Sequence, residues 1–238
     1  MEQNNVQLNI DELGSDSTGK RKVNKFFDVL LWIIIVALAV AVFLRAFVIS
    51  KVTISGASMT ADYYNEESSD SYNPSLTYHN KDKVTVNKLA KPKRGDVVVF
   101  YKYPVKNKFL ALFASSGSTE QEGEYYKLIK RVVALGGDKL WVEHLESNEY
   151  RLVIETPNGN VLHEDYYKKN GKTLNVDCFI LTDKSLSGLG RLKGCTKDNP
   201  LVIDDGYFFA IGDNRADSDD SRGDLGQVPL TQLFGIVI

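Results

Sequence analysis

Residues 126–138 read YKLIKRVVALGGD, a β-rich run that ends at the turn Gly136-Gly137-Asp138. Period-two alternation puts Tyr126, Leu128, Lys130 and Val132 on one face, with Arg131 on the other. Lys130 is then a lone ammonium on an apolar face. It is either an edge-strand lysine that snorkels to water, or a desolvated lysine whose favoured neutral form can act as a general base and activate a serine without a histidine. Similar short runs lie on both sides: Val52–Ile54, Lys83–Lys88, Val97–Tyr101, Trp141–His144, Tyr150–Glu155, Cys178–Thr182, Tyr207–Ile211 and Phe234–Ile238. β-Branched and aromatic residues at this spacing, without an amphipathic helical pattern, predict a mainly β fold, a sandwich or barrel.

Ahead of the strands, Val29–Leu44 is sixteen consecutive apolar residues, VLLWIIIVALAVAVFL, and after Arg45 the stretch AFVI extends it to Ile49. As one helix it is about 31 Å long, enough to cross a hydrocarbon core. A core helix would need a polar face, and a cleaved secretory leader has a shorter apolar region, so an uncleaved anchor is expected. Lys20, Arg21, Lys22 and Lys25 precede it, against Arg45 and Lys51 after it, which predicts a cytoplasmic N-terminus and an outer domain from residue 51. The polar residues before the anchor read as a disordered tail.

The 238 residues carry 29 Lys+Arg against 31 Asp+Glu, a net charge of −2, which excludes a generally basic nucleic-acid binder. The mean hydropathy of −0.23 averages an apolar anchor with a polar outer domain. Two cysteines, Cys178 and Cys195, exclude a disulfide-dense scaffold and a Cys-only zinc site. None of the three histidines lies in an HExxH pattern, and GASMT at 56–60 lacks the second glycine of a G-x-S-x-G elbow. The acidic run 213–222, DNRADSDDSR, fails as a calcium loop: counted from Asp213, Arg215 falls at a ligand position and Ser218 where the turn glycine belongs, and counted from Asp217, Arg222 falls at that glycine position. It reads instead as a solvated turn or as a scaffold that fixes a neighbouring base. Phe109–Ala114 (FLALFA) is an apolar patch in a loop-like stretch, either a core plug or a tip that dips into the outer leaflet.

Taken together, the anchor, SGASM at 55–59, PKRGDVVVF at 92–100, KRVVALGGD at 130–138 and GDNRADSDDSRGDLGQVP at 212–229 resemble the bacterial type I signal peptidases, in that order and over nearly the whole chain. The resemblance implies a catalytic β-barrel or sandwich core, 50–138 with 204–238, and a smaller inserted β-domain, 139–203, behind a tail at 1–25 and an anchor at 26–49. It implies a serine endopeptidase that removes signal peptides after a small-x-small site, without a cofactor or metal. Ser58 matches the nucleophile and Lys130 the general base. Ser218 matches the serine that orients the lysine, and Asp213, Arg215, Asp220 and Arg222 match residues that brace its loop. Ile54, Met59, Leu128 and Ile129 are candidates for the substrate pockets. Partners would be the signal peptides of secreted preproteins, membrane lipid and, indirectly, the secretion machinery, with no nucleic acid. Two departures stand out: the family usually has Pro-Thr shortly after Ser-Met, whereas this chain continues Thr60-Ala61-Asp62, and Gly56 stands where some members carry a hydroxyl oxyanion donor. Oxyanion binding would then fall to backbone N–H groups, that of Ser58 included. Cys178 and Cys195 both fall in the insertion and form either one bridge or two free thiols. The competing expectation is a membrane-tethered β-domain that binds a partner, such as a pilus or secretion assembly factor, without cleaving it.

Overall fold

The structure, a computed structural model, describes residues 17–60, 78–106, 126–145, 148–164, 168–169, 172–173, 180–182 and 188–238. The 1–16 part of the tail, the FLALFA patch and Cys178 lie outside these residues. The chain divides into two compact units, Met1–Arg45 and Ala46–Ile238.

The first unit carries helix α1, Ser17–Phe43. Its stretch Lys25–Phe43 has a mean hydropathy of 2.8 and none of it is buried. That removes the core-helix reading, and the helix is long and apolar enough to span a bilayer. Two boundaries differ from the sequence expectation. The helix begins at Ser17, nine residues before the expected anchor, because Lys20, Arg21, Lys22 and Lys25 are good helix formers that extend it. It also leaves α-helical form at Phe43 rather than Ile49: Leu44–Val48 is a π-helical turn, and Ile49 belongs to the second unit, where it pairs with Asn87. The β-branched ISKVT segment finds its backbone partners there.

The second unit is built on a seven-stranded antiparallel sheet. Its strands are β1 Ile49–Thr53, β2 Lys83–Asn87, β3 Val97–Tyr101, β4 Lys127–Leu135, β12 Tyr207–Ile211, β13 Val228–Pro229 and β14 Leu233–Val237, in the order β1-β2-β14-β3-β4-β12-β13. Between β4 and β12 the chain makes a second sheet from β5 Lys139–His144, β6 Glu149–Glu155, β7 Val161–His163, β10 Leu181–Thr182 and β11 Leu201–Val202. The pair β8 Lys168–Lys169 and β9 Lys172–Thr173 stands apart from both sheets.

Strand β4 is where the packing converges. It runs between β3 and β12, and eight of its nine residues are buried. Leu128 and Val132 pack with Val98, Phe100, Phe208 and Ala210. Ile129 packs with Val52, Ile54, Met59 and Val99. Val133 and Ala134 join Leu140, Leu152 and Ile154 of the second sheet. The edge-strand reading of Lys130 is therefore wrong. The residue sits opposite Val98 in a central strand and is 2% exposed. At the end of β4, Gly137 turns the chain with φ +86°, and the buried Asp138 carboxylate accepts Arg94 Nε at 2.6 Å and the Leu135 N–H at 2.8 Å.

Candidate active site

Beyond β1 the chain is pinned by two backbone bonds of 2.8 Å, Ile54 N–H to Asp82 O and Lys81 N–H to Ile54 O. Gly56 then turns with φ +84°, a conformation that L side chains resist. The Thr60 N–H donates to Ala57 O at 2.9 Å, closing a tight turn with Ser58 and Met59 at its centre. Met59 is wholly buried and anchors the turn, which leaves Ser58 half-buried beside it. Thr60 fixes the turn with two bonds: its N–H closes it, and its Oγ1 donates to Tyr78 O at 3.0 Å. Among the described residues, no acceptor takes the backbone N–H of Ser58.

Lys130 Nζ donates to Ser58 Oγ at 2.6 Å. Burial pushes its ammonium down to about 8, against the pull of Asp220, Asp219 and Asp213, while Arg222 pushes the same way as burial. An ordinary lysine at pH 7 is neutral in roughly one molecule in 3,000, but at about 8 the fraction is roughly one in ten. The geometry thus joins a hydroxyl to an amine that can accept its proton near neutral pH.

The loop after β12 encloses this pair. Asn214 N–H donates to Ser58 O at 3.1 Å and Asn214 Nδ2 to Ala57 O at 3.2 Å, so the loop holds the serine turn directly. Gly212 lies where a Cβ would overlap both Ser58 O and Ser218 Oγ. Ser218 is buried beside Asp220. Burial pushes the Asp220 carboxyl up, but Arg222, through hydrogen bonds and charge, outweighs it together with the Ser218 hydroxyl and the Gly212 N–H and holds it below the usual range. Arg222 Nε and Nη2 reach Asp220 at 2.9 and 2.8 Å, with both residues 1% exposed.

Two further charged residues belong here. Arg131, set on the far face by the alternation, is not solvated: it forks onto Asp213 at 2.7 and 2.6 Å. Glu164 was missed altogether, and it takes the Arg215 guanidinium at 2.7 and 2.6 Å. A single carboxylate far along the chain carries no local signal of its partner. Of the pocket candidates, Ile54, Met59 and Ile129 share one buried cluster. Leu128 belongs to the opposite face and is separated from them. A cavity of about 520 Å³ lined by Ala90, Pro92, Leu135, Tyr207, Leu230 and Leu233 includes neither Ser58 nor Lys130.

The family model described as "Signal peptidase, peptidase S26" matches residues 27–238. The chain is similar to signal peptidase I of Bacillus amyloliquefaciens, 28% identical across 91% of this chain and 89% of that protein. It is similar to signal peptidase I S of Bacillus subtilis, 27% identical across 90% and 89%. Among solved structures, a signal peptidase I from Enterococcus faecalis is 23% identical, with a TM-score of 0.32, over 63% of this chain and 98% of that one.

Proposed function

The chain belongs to the signal peptidase family, peptidase S26, and on that premise we propose that it removes signal peptides from exported preproteins after a small-x-small site, with Ser58 as nucleophile and Lys130 as general base. The observation that carries this reading is the 2.6 Å bond between Ser58 Oγ and the buried Lys130 Nζ.

Neutral Lys130 takes the Ser58 proton as Oγ attacks the carbonyl of the residue before the cut. The tetrahedral oxyanion is met by backbone amides, that of Ser58 first among them. The Lys130 ammonium then protonates the leaving amine, and the C–N bond breaks to give an acyl-Ser58 ester. Water, deprotonated by Lys130, attacks the ester and releases the signal peptide carboxylate and free Ser58. Ser218, beside Asp220, orients the lysine, while Asp213, Arg215, Asp220 and Arg222 brace the loop. The substrate adds as an extended strand, with its small side chains over the floor made by Ile54, Met59 and Ile129.

The helix serves as an anchor with its lysine-rich end in the cytoplasm, so that Ser58 emerges thirteen residues beyond Arg45 on the outer side. Confining enzyme and substrate to one membrane raises their effective concentration. The test is processing of a preprotein by the full chain in detergent, with the product mass read out. One cut after the small residue at −1 is expected, and replacing that residue by Phe should block it. A preprotein that stays intact but co-purifies with the chain would favour a binding protein instead.

A further inference from the structure

Arg215 lies in the loop after β12 and has three of its donors engaged. Two go to Glu164, and Nε donates to Gly212 O at 3.0 Å. Gly212 is thereby held at both peptide faces, because its own N–H donates to Asp220 Oδ2 at 3.1 Å. It is also the residue against which Ser58 O and the Ser218 side chain close, with no room for a Cβ. Any shift of Gly212 therefore shifts the serine turn and Asp220 relative to Lys130.

Glu164 does not come from the sheet that carries Lys130. It follows β7 of the second sheet and is 3% exposed, so its charge is committed to Arg215. A second grip comes from 188–191, between β10 and β11 of the same sheet. Arg222 Nη1 bridges Arg215 O at 2.9 Å and Gly188 O at 3.0 Å. Arg191 donates its N–H to Arg222 O at 2.7 Å and its Nε to Gly223 O at 2.8 Å. Gly190 packs so closely that a Cβ would overlap Arg222 O.

Resting on the Ser58–Lys130 reading and deepening it, we propose that Glu164 is a positioning residue for the reaction: through Arg215 and Gly212 it fixes where Ser58 and Lys130 meet, and the second sheet is a working part of the active site. The groups facing Lys130 are Ser58, Asp213 (paired with Arg131), Asp219 (paired with Lys102), Asp220 and Arg222. Removing the Glu164 charge leaves the Arg215 cation uncompensated near this set, which disfavours the Lys130 ammonium.

The test uses the full chain in micelles and compares Glu164→Gln with wild type. Expected are a fall in kcat/KM of about 10²-fold at the pH plateau and an acidic limb displaced to lower pH by roughly half a unit to one unit. In the double variant Glu164→Gln/Arg215→Met the limb returns to its wild-type position, while the rate stays low because Gly212 O has lost its donor. Rate and limb unchanged in Glu164→Gln overturn the proposal. So does a loss that matches the unfolded fraction with the limb unmoved. If Glu164→Gln does not fold, the double variant, which buries no lone charge, must still lose about 10²-fold, and full rate in it overturns the proposal. Lys130 is titrated in parallel by ¹³C-lysine NMR. A displaced titration in an enzyme that cuts no preprotein would sink the functional reading and leave the positioning role standing.

Discussion

Ser58→Ala and Lys130→Ala should each lower preprotein processing by about 10⁴-fold or more, and the double variant should be no slower than either single one. In the proposed mechanism the two side chains act as one unit: without the lysine the hydroxyl keeps its proton, and without the hydroxyl the lysine has nothing to activate. Removing a second part of a unit that is already broken costs little further. Lys130→Ala also leaves a cavity in the central strand opposite Val98 rather than a lone charge, so it should fold. Thermal unfolding recorded alongside separates lost chemistry from lost structure. Losses that multiply in the double variant would mean that Ser58 and Lys130 act independently, against the 2.6 Å bond between them.

The largest effect on stability is expected at Arg222→Met. Arg222 satisfies both oxygens of Asp220 and two backbone carbonyls, and both members of the ion pair are 1% exposed. Truncating it leaves a buried, unpaired carboxylate, at a cost of about 3–5 kcal/mol, or of the order of 10 °C in Tm for a unit of this size. The pH dependence should change sign with it. In the wild type, Asp220 is held below its usual range, so its contribution is present above the unfolded pKa and is lost as pH falls through the folded one. In Arg222→Met, burial, the largest influence, is opposed only by the Ser218 hydroxyl and the backbone N–H groups of Gly212 and position 222, and the carboxyl rises. The variant should then be least stable at neutral pH and recover on acidification. Asp220→Asn/Arg222→Met, with neither charge, should regain part of the loss. A Tm unchanged in Arg222→Met would show that the pair does not hold the loop.

How much of this was legible in advance depends on where each residue's partner lies. Val97–Tyr101 and Tyr207–Ile211 were read residue for residue, because central strands are continuous apolar runs bounded by turn residues. β11 and β13 were not read, since two-residue strands are set by the chain they pair with rather than by their own pattern. The anchor was overextended because Ala46–Ile49 is as apolar as the helix, although its backbone belongs to the turn and to β1. At the site, Lys130 stood out as a charge on an apolar face. The same alternation separates Leu128, which packs with Val98 and Phe100, from Ile129, which packs with Ile54 and Met59. Arg131 and Glu164 stayed invisible because the tertiary fold chooses the partner of a buried charge, 82 residues away for Arg131 and 51 for Glu164.

The central claim is that a buried, neutral lysine draws the proton from Ser58, and the dependence of kcat/KM on pH between 5 and 10 tests it most directly. In that mechanism Lys130, pushed by burial to about 8, is competent only when deprotonated. The rate should therefore climb about tenfold per pH unit from acid and level off near the pKa of about 8. A rate that stays flat down to pH 5 would contradict a lysine base.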